Sequence, residues 1–331
     1  MRGSGASDPP GSSFACGGMP VELFRKPLAV DFISKRIPAY AFSIAAIVLS
    51  LVSLAVQGLN LGIDFTGGTL VEMAFPHAVE TATIAQRFDG AGIPYATVQQ
   101  FRSDRDVLVR IPPTASIDKT GLQDQVLAAF AGTDAVPEIR RIEIVGAQIG
   151  QELVDKGGIA VIIALGGIAI YVWMRFERRF AIGALAATLH DPILTLGWFS
   201  LTGTEFDLTV LAAILAVVGY SVNDTIVIFD RIRENFRKLR RMTPKDIMNA
   251  SINQTMSRSL ITSGTTLAVV IAMLLFGGPL LYGFSMALVI GILVGTYSSI
   301  YVASAVALDL GASRKDFAIL DKETGKPLEN A

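Results

Sequence analysis

The sequence predicts an α-helical polytopic membrane protein: a six-helix transmembrane bundle with an α+β domain inserted between helices 1 and 2. Three observations predict it. Six stretches are apolar over about the 20 residues that cross a bilayer as a helix. The basic residues of the short connections alternate from one side of these stretches to the other. Between the first and second stretch lie about 100 residues of ordinary soluble composition with strand and helix periodicity.

Composition narrows the function classes. Of 331 residues, 51% are hydrophobic and 17% charged, with a mean hydropathy of +0.51. Soluble domains carry roughly 25% charge, so a soluble enzyme and a disordered chain are both excluded. Lys and Arg number 28 against 29 Asp and Glu, which leaves no basic excess to attract nucleic acid. One cysteine, Cys16, rules out an internal disulfide framework. The sequence has no CxxC or HExxH pair and no Walker A spacing. No metal, cofactor or ATPase site is expected.

Residues 1–18 are rich in Gly, Ser and Pro and are expected to be a linker or disordered leader; no apolar run precedes Cys16, so lipidation is not expected. A cytoplasmic flank follows at 19–36. The six spans are 37–56, 157–174, 180–199, 208–229, 260–276 and 284–308. Lys35 and Arg36 precede the first, and Arg175, Arg178 and Arg179 separate the second from the third. A basic segment at 230–259 separates the fourth from the fifth, and a tail at 309–331 follows the sixth. The connections at 200–207 and 277–283 contain neither Lys nor Arg. By the positive-inside rule both termini are cytoplasmic and the insert, 57–156, is extracytoplasmic.

Within the insert, 69–75 is expected as a strand, 81–91 as a helix, and 95–101 and 106–111 as strands joined by a polar turn at 102–105. A helix at 118–131 and a strand at 138–145 follow. This β-α-β-β-α-β order is the split-βαβ or ferredoxin-like arrangement. It carries no catalytic constellation, and its histidine, His77, follows Pro76 at a strand end as a surface turn residue would. A binding or lever element fits better than an enzyme.

Ionisable groups inside membrane helices are expensive and are functional candidates. Asp224 lies sixteen residues after Leu208, roughly 24 Å along helix 4. Tyr220 and Ser221 share its face, and Asn223 and Thr225 adjoin it. Such a polar stretch faces other helices or a water-filled cavity, as a bundle-holding cluster or as an ion site. A buried carboxylate needs a partner or it takes up a proton. The cationic candidate is Arg258, whose face continues through Thr262 and Thr265 with Thr266 close by; it is equally readable as an anchor to the cytoplasmic surface. Asp191, in the triplet His190-Asp191-Pro192, either satisfies groups freed at a proline kink or belongs to an ion path. Asp230 sits at the inner end of helix 4. In helix 6, Gly283, Ala287, Gly291, Gly295, Ser299, Ala303 and Ala307 recur at intervals of four, a small-residue packing face for an unspecified helix.

Several motifs then become recognisable: GIDFTGGT at 62–69, GYSVNDTIVIFDRIREN at 219–235, NQTMSRSLITSGTT at 253–266 and GTYSSI at 295–300. Over about residues 24–310 the chain resembles the SecF branch of the SecD/SecF protein-export family, within the resistance-nodulation-division superfamily. The resemblance implies a subunit of the bacterial inner membrane that promotes late stages of preprotein translocation with the proton gradient. It implies SecD as the complementary six-helix half, and YajC, the SecYEG–SecA translocon and unfolded preprotein as partners. It places the family's intramembrane aspartate on Asp224 and its helix-5 arginine on Arg258. Gly67 and Gly68 of the first motif, and Gly291 and Gly295 of the small-residue face, are expected as structural positions. Two rivals are a half-transporter of the same superfamily for lipids or small molecules, and a non-transporting translocon scaffold. The basic segment would meet the channel, its motor protein or anionic lipid headgroups.

Overall fold

The computed structural model describes residues 30–95, 97–101, 103–113, 119–239, 241–313 and 316. The leader with Cys16, most of the N-terminal flank and nearly all of the tail lie outside the described residues. Among the described residues, six helical stretches are long and apolar enough to cross a membrane.

α1 (Arg36–Val56) leads through a two-residue strand, β1 (Asn60–Leu61), and one helical turn, α2 (Ile63–Thr66), into β2 (Gly68–Ala74). Then come α3 (Thr81–Gly90), β3 (Thr97–Phe101), β4 (Ser103–Ile111), α4 (Lys119–Ala129) and β5 (Glu138–Val145). β2 pairs antiparallel with β4 and β5, and β3 pairs with β4, giving the order β3-β4-β2-β5. Alternation sends Val71, Met73, Val107, Val109 and Ile111 to one face, where α3 supplies Ile84 and Phe88 and α4 supplies Leu122, Val126 and Phe130. The polar turn expected at 102–105 is tighter than its composition suggests. β4 begins at Ser103, which pairs with Phe101 across a register shift, and Ser103 Oγ donates to Asp106 at 2.8 Å.

The remaining helices are α5 (Ala147–Arg175), α6 (Arg178–Thr202), α7 (Leu208–Lys238), α8 (Pro244–Phe276) and α9 (Pro279–Ser298). A second two-residue strand, β6 (Glu205–Phe206), pairs parallel with β1. α5, α7 and α8 run well past the expected spans. Hydropathy marks only the stretch that lipid requires to be apolar, whereas helices continue wherever their polar ends are satisfied. At α8, Thr243 caps the first turn, accepting from the Asp246 N–H at 3.2 Å and donating to its carboxylate at 2.6 Å, with Pro244 as the first helical residue. α6 continues through Pro192 as one helix.

The sixth span, expected at 284–308, is one helical stretch, Leu280–Asp309, that changes its winding part-way. α9 gives way to a π-helical turn, Ser299–Ala303, before α10 (Ser304–Asp309). The small-residue face packs first on α7: a Cβ on Gly291 would lie 2.3 Å from Val217 Cγ2, and one on Gly295 would lie 3.0 Å from Ser221 Cβ. Beyond the π turn begins, Ala303 meets α6, where a Cβ on Gly183 would lie 2.4 Å from the Ala303 carbonyl oxygen. α7 is thus central, with α6, α8 and α9 against it.

Candidate functional site: polar groups within the helix bundle

Asp224 stands on the buried side of α7, 5% exposed. Its neighbours on that face are apolar or small: Val217, Ser221 and Ile228 are buried as well. The facing stripe of α8 is Ile252, Met256, Ser259 and Ser263, at helical spacing. Ser259 Oγ donates to Asp224 Oδ1 at 3.3 Å. The ion pair with Arg258 is not formed: Arg258 is exposed and makes no ion pair among the described residues, although its charge still acts on Asp224. The register of α8 explains the difference, because neighbouring residues lie 100° apart and burial goes to Ser259 rather than Arg258.

The other expected members of the polar cluster divide. Thr225 Oγ1 and Ser299 Oγ are 2.9 Å apart. Tyr220 OH reaches Ser263 Oγ at 3.4 Å, and Ser263 Oγ is 2.9 Å from Thr296 Oγ1. Asn223 and Thr262 are exposed, and Thr266 is half-buried. The hydroxyls of Thr262 and Thr266 bond back to their own helix, at the Arg258 and Thr262 carbonyls.

Asp191 is more central than its sequence context suggested. It is completely buried. Ser298 Oγ of α9 donates to Oδ2 at 2.9 Å, Ser221 Oγ of α7 donates to the same oxygen, and His190 Nδ1 lies 2.9 Å from Oδ1. Through these bonds the Asp191 side chain ties α6, α7 and α9 together. His190 Nε2 is buried and has no partner among the described residues. Ser221, three residues before Asp224, connects the Asp191 cluster to the Asp224 face. Ser259, Ser298 and Ser299 were missed by sequence reasoning. The available signal was polarity inside apolar runs, with Ser299 already on the small-residue face.

Asp230 belongs elsewhere. Arg175 Nη2 donates to both of its carboxylate oxygens at 2.7 Å, joining the ends of α5 and α7. Asn253 and Asn249 of α8 hold the segment before α1: Asn253 exchanges bonds of 3.0 and 2.8 Å with the Val30 backbone, and Asn249 accepts from the Phe32 N–H at 2.8 Å.

Gly67 and Gly68 mark the entry to the sheet. Gly67 has φ +70°, and a Cβ there would lie 2.7 Å from Ala147 Cα; Gly68 has φ +121°, and a Cβ there would lie 2.5 Å from the Ile111 carbonyl oxygen. Both conformations favour glycine, and both contacts are with backbone that cannot give way cheaply. A Cβ on Gly150 would in turn lie 2.9 Å from Gly67 N. The chain therefore enters and leaves the α+β unit side by side.

Residues 125–313 match the family model described as "Protein export membrane protein SecD/SecF, C-terminal", and residues 52–75 match the SecD/SecF GG motif. The chain belongs to the SecD/SecF family. It is 50% identical over 295 residues to the protein translocase subunit SecF of Vibrio alginolyticus, covering 89% of this chain and 94% of that one. The SecF of Pseudomonas aeruginosa is 45% identical over 289 residues, covering 87% and 93%. The crystal structure of SecDF from Thermus thermophilus, titled a translocon-associated membrane protein, superposes with a TM-score of 0.78 at 36% identity. That match covers 88% of this chain and 40% of the longer one. The protein is a multi-pass inner-membrane subunit of SecD/SecF protein translocation.

Proposed function

We propose that this SecD/SecF-family subunit is the ion-coupled half of a protein-export motor, in which protonation of Asp224 repacks α7 against α8 and α9. The observation that carries the reading is a carboxylate buried well inside a membrane-spanning helix, with one hydrogen bond of 3.3 Å and no ion pair among the described residues. A scaffold needs no such group, and burying one without a full set of partners is costly. Proton entry from outside neutralises the carboxyl and relaxes its attraction to Arg258; release inward restores it. One elementary charge crossing 100 mV is worth roughly 2.3 kcal/mol, enough to reverse a two-state bias of about 1–2 kcal/mol.

In this reading both termini are cytoplasmic and the α+β unit is an extracytoplasmic ferredoxin-like head that follows unfolded preprotein, in concert with YajC and the SecYEG–SecA translocon. SecD supplies the companion half. On α7, Ala212, Ala216, Gly219 and Asn223 are exposed at intervals of four, three and four; Arg258, Thr262 and Thr265 are exposed on α8. Small and polar residues at membrane depth suit another helix rather than lipid.

The test is export in vesicles containing SecD and the translocon under an imposed gradient. Asp224→Asn is expected to insert and bind SecD normally while losing gradient-dependent export at least tenfold, and Arg258→Met to behave likewise. Wild-type export by Asp224→Asn would remove Asp224 as the carrier. The oxygens gathered at Asp191, from Ser221 and Ser298 with Thr225 and Ser299 nearby, favour sodium as the second coupling ion to try. Imposing pH and sodium gradients separately distinguishes the two.

A further inference from the structure

Arg110 lies on β4 between Val109 and Ile111, whose side chains enter the core of the α+β unit. Alternation therefore puts Arg110 on the open face of the sheet. Its guanidinium reaches outside the unit altogether: Nη1 donates to the Leu61 carbonyl oxygen at 2.7 Å and Nη2 to Glu205 Oε1 at 2.7 Å. Leu61 and Glu205 belong to β1 and β6, the short parallel pair that joins the exit of α1 to the connection between α6 and α7. Asn60 and Asp64 brace this pair. Asn60 Nδ2 donates to the Gly203 carbonyl at 2.9 Å, and Asp64 accepts from the Leu208 N–H at the start of α7 at 2.9 Å. One side chain of the head is thus fastened to both strands at the end of the bundle.

We propose that Arg110 and Glu205 are a releasable tie that holds the head against the membrane bundle and opens during each export stroke. This inference rests on the reading that the head moves as the gradient is used. Two features favour a tie over a permanent weld. First, the sheet and the bundle end are not packed together beside it. A cleft of about 720 Å3 separates Leu70, Glu72 and Leu108 on the sheet from Leu208 and Tyr282 on the bundle, and Glu205 lines it. An interface with an open gap relies on polar contacts rather than on close apolar packing. Second, the attraction is opposed on the spot. Asp64 and Asp207 face Glu205 as like charges, burial works against its ionised form, and Arg110 is the opposing cation; Arg141, Glu72 and Glu143 line the same cleft. The pair is half-buried, with 17% and 24% of the two side chains exposed, so it is sheltered from full screening without being locked in.

The experiment uses the whole chain with SecD in vesicles, carrying Arg110→Cys and Glu205→Cys in a Cys16→Ser background. A short bis-methanethiosulfonate joins the two thiols and is removed by reductant. Relative to the same protein before joining, the joined form is expected to lose gradient-dependent export at least tenfold further and to return to the unjoined level on reduction. Unimpaired export while joined, or thiols that fail to join, overturns the proposal. A second arm uses charge reversal: Arg110→Glu and Glu205→Arg singly are expected to lower export several-fold, and together to restore at least half of it. A double reversal no better than either single one also overturns the proposal. Failure of the motor reading itself is distinguishable, because wild type in the same vesicles would then show no gradient dependence.

Discussion

The individual residues that matter most here are those with no room to change. At Gly67, positive φ and the Ala147 backbone act together. Gly67→Ala is expected to cost about 1–3 kcal/mol, read as a lower thermal midpoint in detergent, whereas alanine at Gly92, with a similar φ but open space, should cost less. Asp191 gives a second test. Asp191→Leu removes the acceptor for Ser221 and Ser298 and should destabilise the bundle by about 1–3 kcal/mol; Asp191→Asn keeps an acceptor oxygen and should cost clearly less. Equal losses would mean that the hydroxyls find other partners. Gly67 and Gly68 were legible as a motif, because a conformational demand leaves its mark on the letter itself. The centrality of Asp191 was not: its acceptors' donors come from helices 30 and 107 residues away in sequence, and local spacing carries no record of such contacts.

At the scale of elements, apolar run length marked stretches that lie in six long helices of the described residues, and the order of strands and helices in the insert was readable from periodicity. What periodicity could not supply was rotation and register. Burial on α8 passes through Ser259, one residue from Arg258, so of the two roles the sequence left open for Arg258 the ion pair is not formed and a hydroxyl contact stands in its place. The π turn at Ser299–Ala303 was equally hidden, since nothing in a run of small residues announces an extra residue per turn. β1 and β6, two residues each, lie below the length at which alternation is visible, yet they carry the contact with Arg110. Glu205 there has a pH signature. Burial raises its carboxyl above the ordinary value of 4.5, and Arg110 offsets only part of that. The closed, folded form then binds the proton more tightly than the unfolded chain. Its contribution to stability is fully present below pH 4.5 and is lost as pH rises through the raised value. Comparing thermal midpoints across that window, wild type should decline relative to Glu205→Gln; parallel profiles would mean that Glu205 is not the titrating group.

For the molecule as a whole, the exposed polar groups of α7 and α8 predict a partner that the chain cannot replace by itself. A cysteine at Thr262 should react readily with a membrane-permeant maleimide when the chain is alone and be protected several-fold once SecD is present. Unchanged labelling would move the companion's contact to another face. The family was legible from contiguous motifs, several of whose letters serve specific contacts: Asp64 at the start of α7, Asn235 to Ser251 and Gln254, Asn253 to the Val30 backbone. The relation between head and bundle was not, because Arg110 and Glu205 are 95 residues apart and neither belongs to a motif.

The crossing of backbones at Gly67 and Gly150 reaches beyond mechanics. A segment that leaves and rejoins its host at one spot imposes no threading on that host. A differently shaped module can be transplanted at that seam while the six-helix bundle is kept. The glycines and the small residues opposite them, together with Arg110 for its bonds to Leu61 and Glu205, would have to travel with the graft.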